Sequence, residues 1–330
     1  MIGARELEVF LAAAEHENFS IAAHKLHMSQ PSVSFQIQSL EQQLHVQLFQ
    51  RIGHRIQLTQ AGRDLIPIAH EMMNLSAQIE EIVDSQQSVI TGNLQIGCTT
   101  TPGRYILPPL LGAYRERFPK VKSIVELSTD RPSMEEKLLA KEIHFVILGL
   151  PPKNNKLEYW PIFTDEQVLI VPSSHPWAKR GRITPAELLE ADWVMREPGS
   201  ATRQLTFKML AQCGIDPEAL REVMQLGCPE AIVVAVESGC GVSIVSRVAI
   251  QRSLEMGKIS IVEVENLSIR RQILMARNPR GAITRAQQSF RDFIESDEGQ
   301  HVIASILGKV LPKNPSASPE PMDQSGQRIS

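Results

Sequence analysis

The sequence predicts three successive parts: a winged helix-turn-helix that is mainly α, a long coiled-coil linker helix, and a two-lobed α/β domain. Three patterns carry this reading. Two short helices, a tight turn and a strand pair can be traced from Ser20 to Thr59. Leu65, Ile68, Met72, Leu75, Ile79 and Ile82 recur at spacings of 3, 4, 3, 4 and 3. From Leu94 onward, strand-like runs alternate with helical ones.

The totals bound the possibilities. At roughly 150 residues per domain, a chain of 330 residues holds two or three domains. A hydrophobic share of 42% suffices for complete cores. The net charge of −3 gives no global basic signature for a polyanionic partner. No apolar run approaches the ~18 residues of a membrane span, and the N-terminus lacks the apolar core of a secretion signal. A cytoplasmic, non-membrane location is therefore expected. Cys98, Cys213, Cys228 and Cys240 form no CxxC pair and no cluster with metal-ligand spacing. They read as small buried hydrophobes, and no metal or cofactor is expected.

In the N-terminal part, Leu7, Phe10, Leu11 and Ala14 give a first helix, Glu6 to Glu15, one apolar face. Ser20 reads as the N-cap of a second helix, Ile21 to Leu26, because its hydroxyl can accept from a free backbone N–H. His27 and Met28 make the turn. Ser29 caps a third helix, with Pro31 in its first turn, where a missing N–H does no harm. Val33, Ile37, Leu40 and Leu44 bury one face of it; Gln30, Ser32, Ser34, Phe35, Gln36 and Ser39 occupy the other. The start of such a helix enters the major groove of DNA. Gln pairs bidentately with adenine, and Ser donates or accepts at most base edges. Gln30, Ser32, Ser34 and Gln36 are thus the base-reading candidates, with Pro31 and Phe35 beside them. Arg51, His54 and Arg55 lie in the hairpin-like run LFQRIGHRIQLT, a wing suited to phosphate or minor-groove contact. Helix spacing alone fits equally well a small domain whose polar face is merely solvated.

The 3-4 repeat after Gly62 is a narrow seam of the kind that pairs with another helix. Pro67 should fall in the first turns of this helix, and Thr91-Gly92-Asn93 should end it. Strands are then expected at Leu94–Cys98, Lys122–Leu127 and His144–Gly149, with helices at Ile106–Phe118 and Met134–Lys141. After Pro151-Pro152 a second set begins, with strands at Glu166–Val171, Trp193–Met195, Glu222–Gln225, Val242–Ser246 and Ile259–Val264. Its helices are Pro185–Leu189, Thr202–Cys213 and Ala231–Glu237. Arg271–Ala276 reads as a strand returning to the first set, and Ala286–Ser296 as a closing helix. Alternation of this kind argues for α/β sheets.

Ligands bind outside the C-terminal ends of strands in such sheets. Thr99, Thr100 and Thr101 follow one strand and precede a helix; Gly199, Ser200, Ala201 and Thr202 do the same in the other lobe. Helix N-termini with hydroxyls favour anions, so a small carboxylate, phosphate or sulfur oxyanion suits the cleft. Arg203 is the candidate counter-charge; Ser128, Gly149 and Cys228 stand at further strand or helix ends. Each Thr or Ser taken singly reads as an ordinary helix cap.

The run AAxxLHxSQPSVSxQIxxLEQQLxVxLFxRxxxxxxLTxAG, Ala22 to Gly62, resembles the N-terminal signature of LysR-type transcriptional regulators. GNLQIGCTTTPGRYILPPLLGAYRERFP, REPGSATR and EAIVVAVESGCGVSIVS extend the resemblance, most closely to the regulators of autotrophic carbon fixation. It implies an effector domain of the type 2 periplasmic-binding-protein fold. It also implies a homodimer through the linker helix, assembling further into a tetramer, on an interrupted palindrome in double-stranded promoter DNA. A small effector would act on it, and RNA polymerase would be a partner if it activates. The expected boundaries are 1–60, 61–91 and 92–308, with lobe I at 92–163 and 269–308 and lobe II at 164–268. Residues 309–330, rich in Pro and Ser, read as a disordered tail outside the resemblance.

The chain departs from the family pattern in three ways. Phe35, Gln38 and Ser39 stand where cations are common in the family, so the reading helix has none. Through residue 65, Arg5, Lys25, Arg51, Arg55 and Arg63 are outnumbered by Glu6, Glu8, Glu15, Glu17, Glu41 and Asp64; weak non-specific binding and a shallow salt slope are expected. His144 replaces a usual Asp and reads as a buried imidazole with nothing clustered on it. Other function classes fit less well. No GxSxG, HExxH, Walker A or post-strand GxGxxG motif supports an enzyme. A transport component would carry a secretion signal, and a constitutive DNA binder would show no ligand response.

Overall fold

The computed structural model describes residues 2–52, 55–84, 89–280 and 283–308. The expected tail, 309–330, lies outside the described residues.

The head opens with α1 (Ala4–His16), α2 (Phe19–Lys25) and α3 (Gln30–Leu44), followed by the wing strands β1 (Phe49–Ile52) and β2 (Arg55–Leu58). Its core gathers Leu7, Val9, Phe10 and Ala13 from α1, Ala22 and Ala23 from α2, and Val33, Ile37 and Leu40 from α3. Phe49 of the wing closes this core edge-on against Phe19, with ring centroids 5.3 Å apart. The N-cap of α2 is Asn18, not Ser20: Asn18 Oδ1 accepts from the Ser20 and Ile21 amides at 2.8 and 3.1 Å, which satisfies two free donors at once. Ser29 does cap α3, accepting from the Ser32 amide at 3.3 Å. His27 makes the turn with a left-handed φ of 53°. Glu41 Oε1 accepts from the Leu48 and Phe49 amides at 2.7 and 3.0 Å and so fixes the wing to α3.

The linker helix α4 (Gln60–Asp84) begins against the wing. Gly62 is required there, because a Cβ would stand 2.3 Å from the Leu48 carbonyl oxygen. Pro67 lies deeper in the helix than expected, well past its first turn. Packing of Leu65, Ile66, Ala69 and Met73 on the head core outweighs the lost backbone bond. The seam therefore divides. Leu65 belongs to the head, whereas Ile68, Met72, Leu75 and Ile79 are 41–64% exposed, uncovered within the protomer. The Ile82 side chain lies outside the described residues.

Lobe I is built on β3 (Gly92–Cys98), flanked in parallel by β4 (Val121–Leu127) and β5 (Phe145–Leu148). A π-turn at Pro102–Ile106 precedes α5 (Leu107–Arg117), and α6 (Arg131–Leu139) connects β4 to β5. Next comes β6 (Glu158–Pro172), far longer than the sequence indicated. It pairs antiparallel with the late strand β12 (Ile269–Arg277), from Glu158↔Arg277 to Gln167↔Ile269. This two-stranded ribbon joins the lobes: β12 also pairs with β5, while the far half of β6 carries β10 (Ser243–Ser246) and β11 (Ile259–Val264). The expected lobe boundary at 163/164 falls inside β6. Pro161 and the irregular EYWPIFTD run hid the first half of that strand.

Lobe II contains α7 (Pro176–Arg180), the short β7 (Arg182–Ile183) and a 3-10 turn at Pro185–Glu190. A separate parallel pair follows, β8 (Asp192–Arg196) and β9 (Arg221–Leu226), with α8 (Ala201–Gln212) between them. After β9 come α9 (Pro229–Glu237) and α10 (Gln251–Glu255) around β10. Helices α11 (Arg285–Glu295) and α12 (Asp297–Ile306) return to lobe I, where Phe290 and Phe293 pack on Tyr114. The sequence reading missed α7, α10 and α12. Among the described residues no helix is long and apolar enough to cross a membrane.

His144 is not isolated. Its Nδ1 accepts from the Gln95 amide at 3.1 Å. The linker helix brings His70 within electrostatic reach, and Lys141 pairs with Glu71 at 2.6 Å across the same junction. Burial, more than the mutual repulsion, lowers the His144 pKa from 6.5 to about 4. Burial likewise lowers His70 to about 4, against the opposing pull of Glu15. Both imidazoles are therefore neutral in the fold, and the unfolded chain takes up protons first. The stability they allow is complete above pH 6.5 and is lost as pH falls towards about 4. Urea midpoints measured across this window should fall with pH, and His70→Gln should flatten the slope by up to about one proton.

Candidate functional site

Two sites emerge, one on the head and one between the lobes. On the head, Gln30, Pro31, Ser32 and Phe35 are exposed along α3, while Ser34 and Gln36 are half-buried. Several polar groups are already engaged with one another. Gln30 Nε2 donates to Ser34 Oγ at 2.9 Å, and the Ser29 and Ser32 hydroxyls share a 2.7 Å hydrogen bond. Phe35 is 72% exposed. The helix carries no cation. Elsewhere on the head, Lys25 pairs with Glu15, Arg5 pairs with Glu8, and Arg63 donates to the Leu58 carbonyl. Arg51 stands exposed on the wing. His54 and the Arg55 side chain lie outside the described residues.

Between the lobes is a small cavity of about 40 Å³. Thr99, Thr100, Thr101 and Gly149 line it from lobe I, and Ser200 and Thr202 from lobe II. For two of these hydroxyls the ordinary explanation does not hold, since neither Thr101 nor Ser200 makes a side-chain cap hydrogen bond to the helical segment it precedes. Thr99 Oγ1 reaches back to the Ile147 carbonyl at 3.5 Å. The start of α8 presents Ala201 and Thr202 to the cavity, with Ser200 just before them, whose amide donates to the Glu197 carbonyl at 3.2 Å.

Three expected residues are placed elsewhere. Arg203 lies one residue, about 100° of helix turn, beyond Thr202. It pairs with Glu222 at 2.8 Å, donates to the Arg196 carbonyl, and lies over the Phe207 ring. The Ser128 hydroxyl accepts from the Asp130 amide at 2.9 Å, and Cys228 stands at the start of α9; neither lines the cavity.

The cations that do line it are Arg131, Arg196 and Arg271. Arg131 pairs with Glu135 and Arg196 with Glu197. Arg271, on β12, is nearly buried and pairs with Asp165 on β6, its Nε donating to Oδ2 at 2.9 Å. The same carboxylate accepts from Gln167 Nε2 at 2.7 Å and Ser246 Oγ at 2.6 Å. Arg271 Nη1 reaches Thr202 Oγ1 at 3.3 Å. Gly149 leaves room for the guanidinium, because a Cβ there would meet Nη1 at 3.1 Å. Nη2 lies 2.8 Å from Asp165 Oδ2, close enough for charge attraction. It is not aligned for a hydrogen bond, however, and has no acceptor among the described residues. The sequence held a signal for Arg271: in IRRQI, burial alternates with a period of two, which turns this arginine inward.

Comparison with known proteins agrees with this anatomy. Residues 4–63 match the family model for bacterial regulatory helix-turn-helix proteins of the lysR family, and residues 87–298 match the LysR substrate binding domain. The chain is 32% identical over 296 residues to the RuBisCO operon transcriptional regulator of Allochromatium vinosum, covering 90% of this chain and 96% of that one. Among solved structures it resembles full-length CbnR in complex with its target DNA, with a TM-score of 0.61 at 23% identity. That match covers 89% of this chain and 99% of CbnR. It also resembles the regulatory domain of CcmR from Synechocystis PCC6803 in complex with 2-PG, with a TM-score of 0.56 at 24% identity. That match covers 62% of this chain and 96% of CcmR's domain. Head, linker and two-lobed domain thus stand in the order and with the fold of one family, and the chain belongs to the LysR-type transcriptional regulators.

Proposed function

We propose that this regulator binds an interrupted palindrome as a dimer, reads it with α3 and the wing, and responds to a small oxyanion in the interlobe cavity. The expected boundaries, 1–60, 61–91 and 92–308, are part of this reading. Exposure of Ile68, Met72, Leu75 and Ile79 supports pairing of α4 with a second copy. Ile124, Val125 and Leu127 on the edge strand β4, with Val223 and Val234 on lobe II, are exposed apolar groups suited to a further contact between dimers. On the DNA side, Gln30, Pro31, Ser32, Ser34, Phe35 and Gln36 face base edges, and Arg51, with His54 and Arg55, holds the backbone.

The observation that carries the effector reading is the convergence of hydroxyls from both lobes, Thr99, Thr100 and Thr101 with Ser200 and Thr202, and of Arg131, Arg196 and Arg271 on one cavity. Hydroxyl and guanidinium donors gathered in this way suit an anionic acceptor. Each cleft arginine already has a carboxylate partner, so the cavity suits a compact anion of low charge. CcmR's complex with 2-PG supports a small metabolite of this kind, in keeping with the likeness to a RuBisCO operon regulator. Bound there, the ligand bridges lobe I, the ribbon and α8, favours one arrangement of the lobes, and shifts the paired heads.

The test is a thermal-shift screen of small carboxylates, phosphate esters and 2-PG on the full chain. A ligand that raises the melting temperature should lose about tenfold or more in affinity with Thr202→Ala or Thr100→Ala, the cost of one or two hydrogen bonds to a charged group. If neither change weakens a ligand that binds, the cleft assignment is wrong.

A further inference from the structure

We infer that Phe35 reads thymine through its 5-methyl group, as the apolar contact at the centre of the DNA-facing helix. This rests on the DNA-reading assignment above and adds a base to it. Phe35 is the most exposed large hydrophobic side chain among the described residues, at 72%. It lies on α3 between Pro31 and Ser32, one turn before it, and Gln38 and Ser39, one turn after, on a helix whose N-terminal half enters the groove. Apart from Pro31, its helix neighbours Ser32, Gln38 and Ser39 carry hydroxyls and amides, so the adjoining face of α3 offers little apolar area for a protein partner to cover. The nearby polar side chains are tied together in pairs, Gln30 to Ser34 and Ser29 to Ser32, whereas the Phe35 ring stays open to a partner. A major groove offers one apolar feature to such a side chain, the thymine methyl. No cation on α3 competes for guanine O6 and N7. Selectivity at this position therefore comes from a methyl group and not from a guanidinium.

The experiment uses the full chain and a duplex recovered from a randomised pool, in which each thymine is replaced singly by deoxyuridine. At one thymine in each half-site, loss of the methyl should weaken wild-type binding about three- to fivefold, the effect of withdrawing one methyl-sized group from an apolar contact. Phe35→Ala should bind both duplexes equally at that position, and Phe35→Met should keep part of the preference. Because Phe35 lies outside the head core, these variants should melt with the wild type. Phe35→Arg should shift the preferred base there from thymine towards guanine. The inference is overturned if wild-type binding is indifferent to uracil at every position, or if Phe35→Ala keeps the same penalty. If the wild type recovers no duplex at all, the DNA-reading assignment falls and takes this inference with it.

Discussion

Asp165→Asn is expected to destabilise the two-lobed domain by about 3–5 kcal/mol, the cost of leaving a buried charge without its partner. Asp165 is 1% exposed and accepts from Arg271, Gln167 and Ser246. Those donors come from both strands of the ribbon and from β10, so the carboxylate ties the joint between the lobes together. Neutralising it strands the Arg271 guanidinium, whose side chain is 5% exposed. The loss is read as a lower urea midpoint. A second variant separates stability from function. Asp165→Leu with Arg271→Met replaces the pair by apolar groups, an exchange that is often neutral or stabilising in a buried site. It should recover most of the midpoint and still show no ligand-induced shift in melting. If the double variant responds to ligand like the wild type, Arg271 does not take part in binding.

The second large effect is expected in the linker helix. Met72→Glu combined with Ile79→Glu places two like charges in the seam and should convert the dimer to monomers in sedimentation velocity. Both side chains are exposed within the protomer, at 41% and 64%. The protomer's own stability should therefore change by less than about 0.5 kcal/mol. DNA affinity should nevertheless fall about a hundredfold or more, because joining two heads makes the second contact intramolecular. A dimer that survives both substitutions would place its interface elsewhere.

Local patterns reported the architecture well where a single period governs them. The i, i+3, i+4 spacing of Leu7, Phe10, Leu11 and Ala14 and the Ser29-Pro31 start of α3 lie where the sequence suggested. So do the strands around Ile96, Ile147 and Ile261. What escaped depended on residues far apart in sequence. The first half of β6 is a strand because β12, more than a hundred residues later, pairs with it along its whole length. Arg271 becomes a cleft residue through the same pairing. Arg203 looked better placed beside Thr202, but one helical step turned it to Glu222. Asn18 takes the cap in place of Ser20 because α2 begins at Phe19, which puts Ser20 inside the first turn with its own amide donating to Asn18. The nearness of His70 and His144 likewise depends on how α4 lies against lobe I, which periodicity does not encode.

The most direct test of the central claim is affinity selection of the full-length chain on a randomised DNA pool, with the recovered sequences aligned. A dimer reading through two copies of α3 should recover two inverted half-sites separated by a fixed spacer. Gln30→Ala should relax one position in each half, and Arg51→Ala should weaken all sequences alike. Recovery of a single half-site without a symmetric mate, or of no consensus, would contradict the account.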